Sequence, residues 1–553
     1  MQLFIEERLN TNDVSFFSPT KKLNLKTFSS MGTKTKKSES NAAMRLAMVN
    51  EDRQLFSRIV VVAKTRNVKL KTVFVHELSS VPYALAHVDG TLRKATKSIL
   101  LSELEKRVSV IGTLPGGRHT TWIIDGMAVL QMVGGHGAST FGELSDCILQ
   151  IVLKPFKSGS CFRIDVVFDC YNTDNSIKSF ERARRKAGDS IELRITNQST
   201  PLPKDWKRFM SSSKNKENLK NFLCEKWCKD VRPILTAGQV LIIAGGFSDS
   251  AEARAIKMQQ VTSLTHLRST HEEADTRILL HAADASMSTE DIVVWSPDTD
   301  VAVLCCHYVR RLNVRLYFRT GVKDKARFIP IHEVAESLGE DICRVLSILH
   351  CLTGCDSMSG LYGIGKTKAL KWAVTNEDAI QLAEIGVSIN IPESAVEACT
   401  KCVCQLYDAK YDGKDINELR LRLFCKKQAR NEELPPTEDS FRHHIERVNY
   451  QCMIWKHSLV PQPDIPTPIG NGWEINEGVM VPVLMTLEPA PKALMEIITC
   501  HCKISKCKGR CSCSAEGLIC TAACICEGEE NCCNPHKHSE AVSRDSEESS
   551  DED

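Results

Sequence analysis

Several features that would place a chain quickly are missing here. There is almost no net charge: 71 lysines and arginines face 69 aspartates and glutamates, a formal +2 over 553 residues. A global basic field for nucleic acid is therefore absent, and any such signal has to be local. No apolar run is long enough to span a bilayer. The first residues, MQLFIEERLN, carry acids early and lack the basic-then-apolar plan of a secretory leader. No segment repeats at a solenoid period. These absences argue against membrane-spanning, secreted and repeat-array proteins, and leave the expectation of a soluble intracellular chain.

What is present points to several domains. Hydrophobic residues make up 42% of the chain, enough for a sizeable core. The 25 cysteines are uneven, with ten of them between positions 500 and 533. In an intracellular protein so dense a cluster reads as metal binding rather than disulfides. The scattered ones, including Cys305, Cys306, Cys399, Cys402 and Cys404, read as small core residues.

Composition divides the chain as follows. Residues 1–50 are polar, lysine-rich and expected to be disordered. Residues 51–112 have helical periodicity, in LFSRIVVVAK and KSILLSELEKRV. The loop-like GTLPGGRHT precedes a main domain over 119–375. There TWIID, FRIDVVFD, QVLIIAGG and DIVVWSPD are apolar at nearly every position, as strands buried on both faces are, with helical segments between them. The expected class is α/β, a parallel sheet flanked by helices. A helical extension over 376–458, a proline-rich linker or strap over 459–498, the cysteine module over 499–536 and an acidic disordered tail over 537–553 complete the chain.

The informative feature is where acids fall. Asp125, Asp169 and Asp298 each close an apolar run, and Asp300 follows two residues after Asp298. Ligands of open parallel sheets bind at the carboxyl ends of the strands, so these acids are expected along one edge. Glu273 and Asp275 lie in HEEAD at a helix start, and Asp356 lies in LTGCDS. Crowded acids raise one another's pKa, and divalent cations with hard oxygen preference relieve the repulsion. Two such ions about 3.5–4 Å apart can stabilise both the attacking and the leaving oxygen of a phosphodiester.

Each acid also has a plainer reading. A lone aspartate after a strand is more often a turn former or a helix cap. Thr270 and Glu273 have capping-box spacing. Residues two apart share no helix face, so Glu273 and Asp275 can serve one site only where the helix begins; Glu272 with Asp275 is an alternative pair. The set of seven, in this order, favours the functional reading.

IIDGMAVL, VVFDCYNTDNSIKSFERARR, EEAD, SPDTDVAVL and LTGCDSMSGLYGIGKTKAL together resemble the flap-endonuclease-type structure-specific nucleases of the wider PIN-like fold. The resemblance covers about residues 119–375. It implies a PIN-like fold and Mg²⁺- or Mn²⁺-dependent phosphodiester hydrolysis, with two ions per site. The implied metal ligands are Asp125, Asp169, Glu273, Asp275, Asp298, Asp300 and Asp356. Lys178 and Arg185, on the basic stretch that also holds Arg182 and Arg184, are the implied scissile-phosphate contacts. Arginine offers bidentate geometry to phosphate. Gly363 and Gly365 let a backbone approach phosphate closely, and Lys366 and Lys368 add sequence-independent attraction. Two departures stand out. Lys366 occupies a position where the family often has proline, and the segment between Asp169 and Glu273 is long and poorly patterned, leaving substrate polarity open.

The tail reads Cys500-x-Cys502-x4-Cys507-x3-Cys511-x-Cys513-x6-Cys520-x3-Cys524-x-Cys526-x5-Cys532. Thiolates one residue apart suit bridging between neighbouring Zn²⁺ ions, and nine cysteines serve three tetrahedral ions if three of them bridge. This spacing resembles the tesmin-type CXC domain, a zinc-cluster DNA-binding module. The last gap is longer than that family's, so Cys532 or Cys533 completes the set. Lys506 and Arg510, with Lys503 and Lys508, interleave the cysteines and suit phosphate contacts. The expected protein is thus a nuclear (or cytoplasmic) metal-dependent DNA nuclease with a zinc-cluster DNA-binding tail and no membrane partner. The competing readings are a catalytically silent DNA- or chromatin-binding protein of the same fold, and an RNA-cleaving PIN-like enzyme.

Overall fold

The computed structural model describes residues 53 and 55–538, except 116–118, 135–136, 171–175, 179–191 and 428–429. In the cysteine-rich stretch it also excludes 503–506, 508–510, 516–517, 521–523 and 527–531. The expectations of disorder for residues 1–50 and for the acidic tail beyond 538 lie outside the described residues.

Eight strands form one mixed, mostly parallel sheet: β1 (Thr120–Asp125), β2 (Cys161–Val167), β3 (Val240–Ala244), β4 (Ala253–Ile256), β5 (Val261–Ser263), β6 (Asp291–Trp295), β7 (Arg315–Thr320) and β8 (Arg327–Pro330). The spatial order is β5-β4-β3-β2-β1-β6-β7-β8. The central five, β3-β2-β1-β6-β7, are parallel. The edges β4, β5 and β8 are antiparallel additions to the expected parallel sheet. These edge strands are short and partly polar, ARAI, VTS and RFIP, and so carry no both-faces-buried signature.

The central strands are buried on both sides. On β1, Ile123 enters one hydrophobic core and its neighbour Ile124 the other, as the alternation of side chains along a strand requires. The helices in chain order are α1 (Ser98–Glu105), α2 (Gly126–Val133), α3 (Phe141–Val152), α4 (Ser213–Asp230), α5 (Ala274–Ser286), α6 (Thr299–Leu312), α7 (Ile331–Leu338), α8 (Glu340–Leu352), α9 (Lys366–Thr375), α10 (Glu393–Tyr407), α11 (Ile416–Lys427), α12 (Glu438–Lys456) and α13 (Lys492–Ile498). Helices α2, α3 and α4 cover one face, and α5, α6, α7, α8 and α12 build the larger core on the other.

The flanking regions join this larger core. Helical residues 55–65 and α1 pack into it through Leu55, Ile59, Leu100 and Leu104. The proline-rich stretch is a packed strap: hairpin β9 (Trp473–Asn476) and β10 (Val479–Pro482) buries Trp473 and Met480. Strand connections run outward from β1 to β3 on one side and return to β6 on the other. The order therefore reverses between β1 and β6, the kind of point beyond whose strand ends open parallel sheets bind ligands.

Candidate active site

The crevice is built by strand ends and helix starts. Asp125 ends β1 and caps α2, its Oδ1 accepting the Ala128 N–H at 2.9 Å. Its Oδ2 accepts from Ser296 Oγ at 3.2 Å, across from the end of β6. Asp169 lies two residues beyond β2 and caps a different helix, with Oδ1 accepting the Ala274 N–H of α5 at 2.8 Å. Asp298 caps α6, accepting the Asp300 N–H at 2.9 Å. Three helix N-termini thus face one place, and their positive ends partly offset its acids.

Helix α5 begins at Ala274, so Glu273 and Asp275 straddle its first residue and both reach the site. The capping box at Thr270 does not form, since Glu273 is itself the cap residue and makes no side-chain cap bond. Its carboxylate takes the Lys178 ammonium instead, at 2.7 Å. Glu272 turns aside and accepts from Ser176 Oγ at 2.6 Å. One oxygen each of Asp275, Asp298 and Asp300 lie within 4.8 Å of one another, a grouping able to hold a cation. Asp356, more exposed, joins through Lys97, whose ammonium lies 2.8 Å from Asp356, 2.8 Å from Asp298 and 3.1 Å from Asp300.

The electrostatics follow from burial and crowding. Burial, then the Asp169 charge, push the Asp125 carboxyl up to about 7. Asp275 is raised by burial and by Asp298, Glu273 and Asp300. Burial raises Glu273 and Asp298 as well, despite the lysines beside them. Asp300 is the exception. Burial opposes its charge, but a 2.8 Å hydrogen bond from His350 Nε2 and the nearby Lys97 hold it well below the carboxylate range. His350 is itself pushed down to about 4 by burial and Lys366, so it is neutral at pH 7 and donates Nε2–H.

The structure corrects one expectation. Lys366 is 3% exposed, and its ammonium donates to His350 O (2.7 Å), Thr353 Oγ1 (3.0 Å) and Gly354 O (2.6 Å), leaving nothing for a phosphate. It buttresses the end of α8 that carries His350. Gly363, Gly365 and Lys368 remain exposed at the start of α9. Gly363 has φ +72°, and a Cβ at Gly365 would meet open space. Arg182, Arg184 and Arg185 lie outside the described residues, as do Lys503, Lys506, Lys508 and Arg510. Sequence reasoning missed Lys97, His350 and Ser296. Lys97 comes from the N-terminal region, far along the chain from the acids of the site.

Near the C-terminus the cysteines gather. Three groups of four thiols are close enough for a metal: Cys500, Cys513, Cys520 and Cys524; Cys500, Cys502, Cys507 and Cys511; Cys500, Cys507, Cys520 and Cys526. Cys500 is common to all three. Sγ–Sγ separations such as 3.5 Å (Cys500–Cys507, Cys513–Cys524) and 3.8 Å (Cys526–Cys532) are not those of disulfides. They approach the ~3.8 Å edge of a tetrahedron with Zn–S of about 2.3 Å. Cys532 is buried, whereas Cys533 is exposed.

No family model matches the chain, and no curated protein matches it. Among solved structures it is similar to the catalytic core of Rad2 in complex with DNA substrate. For complex II the identity is 14% and the TM-score 0.31, over 72% of this chain and 91% of that one. For complex III they are 15% and 0.31, over 66% and 84%. Flap endonuclease-1 from Methanococcus jannaschii is similar at 14% identity and a TM-score of 0.27, over 64% of this chain and 95% of that one. Among the described residues no helix is long and apolar enough to cross a membrane.

Proposed function

We propose that the chain is a divalent-metal-dependent nuclease that hydrolyses phosphodiester bonds in DNA, with the cysteine cluster as a zinc-bearing DNA-binding tail of the tesmin CXC type. One observation carries the nuclease reading. Acids from separate elements meet at the reversal point of a parallel sheet, mostly buried, with Asp125, Glu273, Asp275 and Asp298 raised in pKa and two lysines among the seven acids. Hard oxygen donors in that arrangement suit Mg²⁺ or Mn²⁺.

Asp275, Asp298 and Asp300 would hold one ion; Asp125, Asp169, Glu273 and Asp356 are the remaining donors for a second. Such ions, when bound, supply charge stabilisation at the phosphoryl oxygens and activation of water. The chain's own residues do the rest. Helix N-termini and Lys178, with Arg185 on the same basic stretch, draw the scissile phosphate to the crevice. Gly363, Gly365 and Lys368 grip backbone phosphate beside it. His350, backed by Lys366, fixes the Asp300 carboxylate. Three zinc ions on Cys500, Cys502, Cys507, Cys511, Cys513, Cys520, Cys524, Cys526 and Cys532, with Lys506 and Arg510 between them, would form the tail. A nuclear location suits this reading.

The test is a substrate panel of flapped, branched, duplex and single-stranded DNA and the RNA equivalents, with Mg²⁺ or Mn²⁺. Cleavage of branched or flapped DNA is expected. The Asp298→Asn, Asp300→Asn double variant should lose about a thousandfold or more in rate while still binding. Binding of DNA with no cleavage of any form would leave a silent binding protein, and cleavage of RNA alone would move the activity to that substrate.

A further inference from the structure

We propose that Lys97 is a built-in counter-cation which a divalent ion must displace, so that metal loading exchanges the ion for a lysine delivered by the N-terminal region. The inference rests on the metal-dependent reading of the site and deepens it.

The Lys97 ammonium sits among three acids. It donates to Asp298 Oδ1 at 2.8 Å and lies 3.1 Å from Asp300 Oδ1 and 2.8 Å from Asp356 Oδ1. Two of these oxygens are otherwise spoken for. Asp298 Oδ1 also accepts the Asp300 N–H, and Asp300 Oδ1 also accepts His350 Nε2–H. The ammonium thus shares both carboxylates with donors that hold them in place. Asp298 and Asp300 are also two of the three members of the cation-holding group. An ion drawn to these two carboxylates competes with the ammonium for their charge.

The lysine is delivered by a fixed strap rather than a loose surface chain. Arg93 O accepts the Gly360 N–H at 2.8 Å, and Ala84 O accepts the Tyr362 N–H at 2.9 Å. The Arg93 guanidinium lies over the Tyr362 ring, 4.8 Å from its centre. Ala95 sits against Gly354 and Gly360; a Cβ at Gly354 would come within 2.9 Å of the Ala95 methyl, and one at Gly360 within 3.3 Å. Glycine on both sides lets the strap lie against the loop that bears Asp356. The backbone being pinned, exchange is a movement of the lysine side chain alone. The released ammonium stays at the mouth of the crevice beside Asp356, where an incoming phosphate can take it.

The test uses the full-length protein. Its lysines are acetylated with an amine-reactive reagent, in chelator and in Mn²⁺ or Ca²⁺, and followed by mass spectrometry with exposed Lys106 as reference. Lys97 is expected to be protected in chelator and labelled at least about fivefold faster with the ion, within the usual range for coupled equilibria. In parallel, Lys97→Met should bind Mn²⁺ roughly tenfold more tightly by calorimetry, and Lys97→Arg much less so. If wild type binds Mn²⁺ while Lys97 labelling does not respond, or if Lys97→Met binds the ion no better, the exchange is overturned and the nuclease reading stands. If wild type binds no Mn²⁺ at all, the metal site is lost and the nuclease reading falls with it. The labelling arm decides the matter even where Lys97→Met does not fold.

Discussion

Buried carboxylates occur in two settings on this sheet, and they differ in who neutralises them. In the body of the strands, Asp165 of β2 receives Arg163 through two bonds of 2.8 and 2.7 Å and His281 Nδ1 at 2.7 Å. Asp291, at the start of β6, is paired by Arg315 in the same bidentate way at 2.7 and 2.6 Å. Burial penalises the Asp165 charge, but the guanidinium and imidazole outweigh it and hold the carboxyl below its usual range. Beyond the strand ends, Asp125, Glu273, Asp275 and Asp298 are raised instead, with two lysines among them. Acids that serve the fold carry their own permanent cation. On the proposed reading, acids that would receive a metal are left short of charge, at a cost in stability.

That contrast can be broken by substitution. Asp165→Ala leaves His281 and part of Arg163 buried without their partner, and should cost about 3–5 kcal/mol by denaturant unfolding. Cleavage per folded molecule should be unchanged. A small loss would mean that Asp165 is not the anchor its bonds indicate.

The two settings also oppose each other in pH. A raised carboxyl stabilises below its unfolded value and loses that contribution as pH rises through the folded one. The metal-free protein should therefore lose stability as pH rises from about 4 through the Asp125 value near 7. Asp165, with its lowered value, contributes above about 4 and is lost only as pH falls further. Melting curves across pH in chelator should show the loss on the neutral side, and Mn²⁺ should remove it. A metal-free protein indifferent to pH from 4 to 7 would dissolve the distinction.

A smaller effect sharpens the same point. Asp275→Asn removes a charge that burial and its neighbours disfavour. It should raise metal-free stability by about 1 kcal/mol, a degree or two in melting temperature, and lower it relative to wild type in Mn²⁺. The smallest effect lies outside the crevice. Lys368→Ala should weaken DNA binding a few-fold and reduce the salt slope by about one, as a single phosphate contact does. An unchanged slope would take Lys368 off the DNA.

The central strands were legible because they are buried on both faces, and three of them, β1, β2 and β6, lead into an acid that the parallel arrangement brings to one edge. The starting point of α5 was the one condition under which Glu273 and Asp275 could act together, and it is met at Ala274. The antiparallel edges were not legible, since ARAI, VTS and RFIP are too short and too polar to show a period. Lys366 was misread, although the signal was present. It lies at helical spacing with Ala369, Leu370 and Ala373, all on the buried stripe of α9. Reading the glycines before it as a phosphate loop hid that periodicity. Lys97 had no local signal, because its partners lie some two hundred residues away and only the folded strap brings it to them.

The most direct test is diffraction from crystals soaked in Mn²⁺, with an anomalous map at the manganese edge. The arrangement predicts a peak between Asp275, Asp298 and Asp300, a second close by toward Asp125 and Asp169, and neither in the Asp298→Asn, Asp300→Asn protein. A map with no manganese in the crevice, while the cysteine cluster holds its zinc, would contradict it.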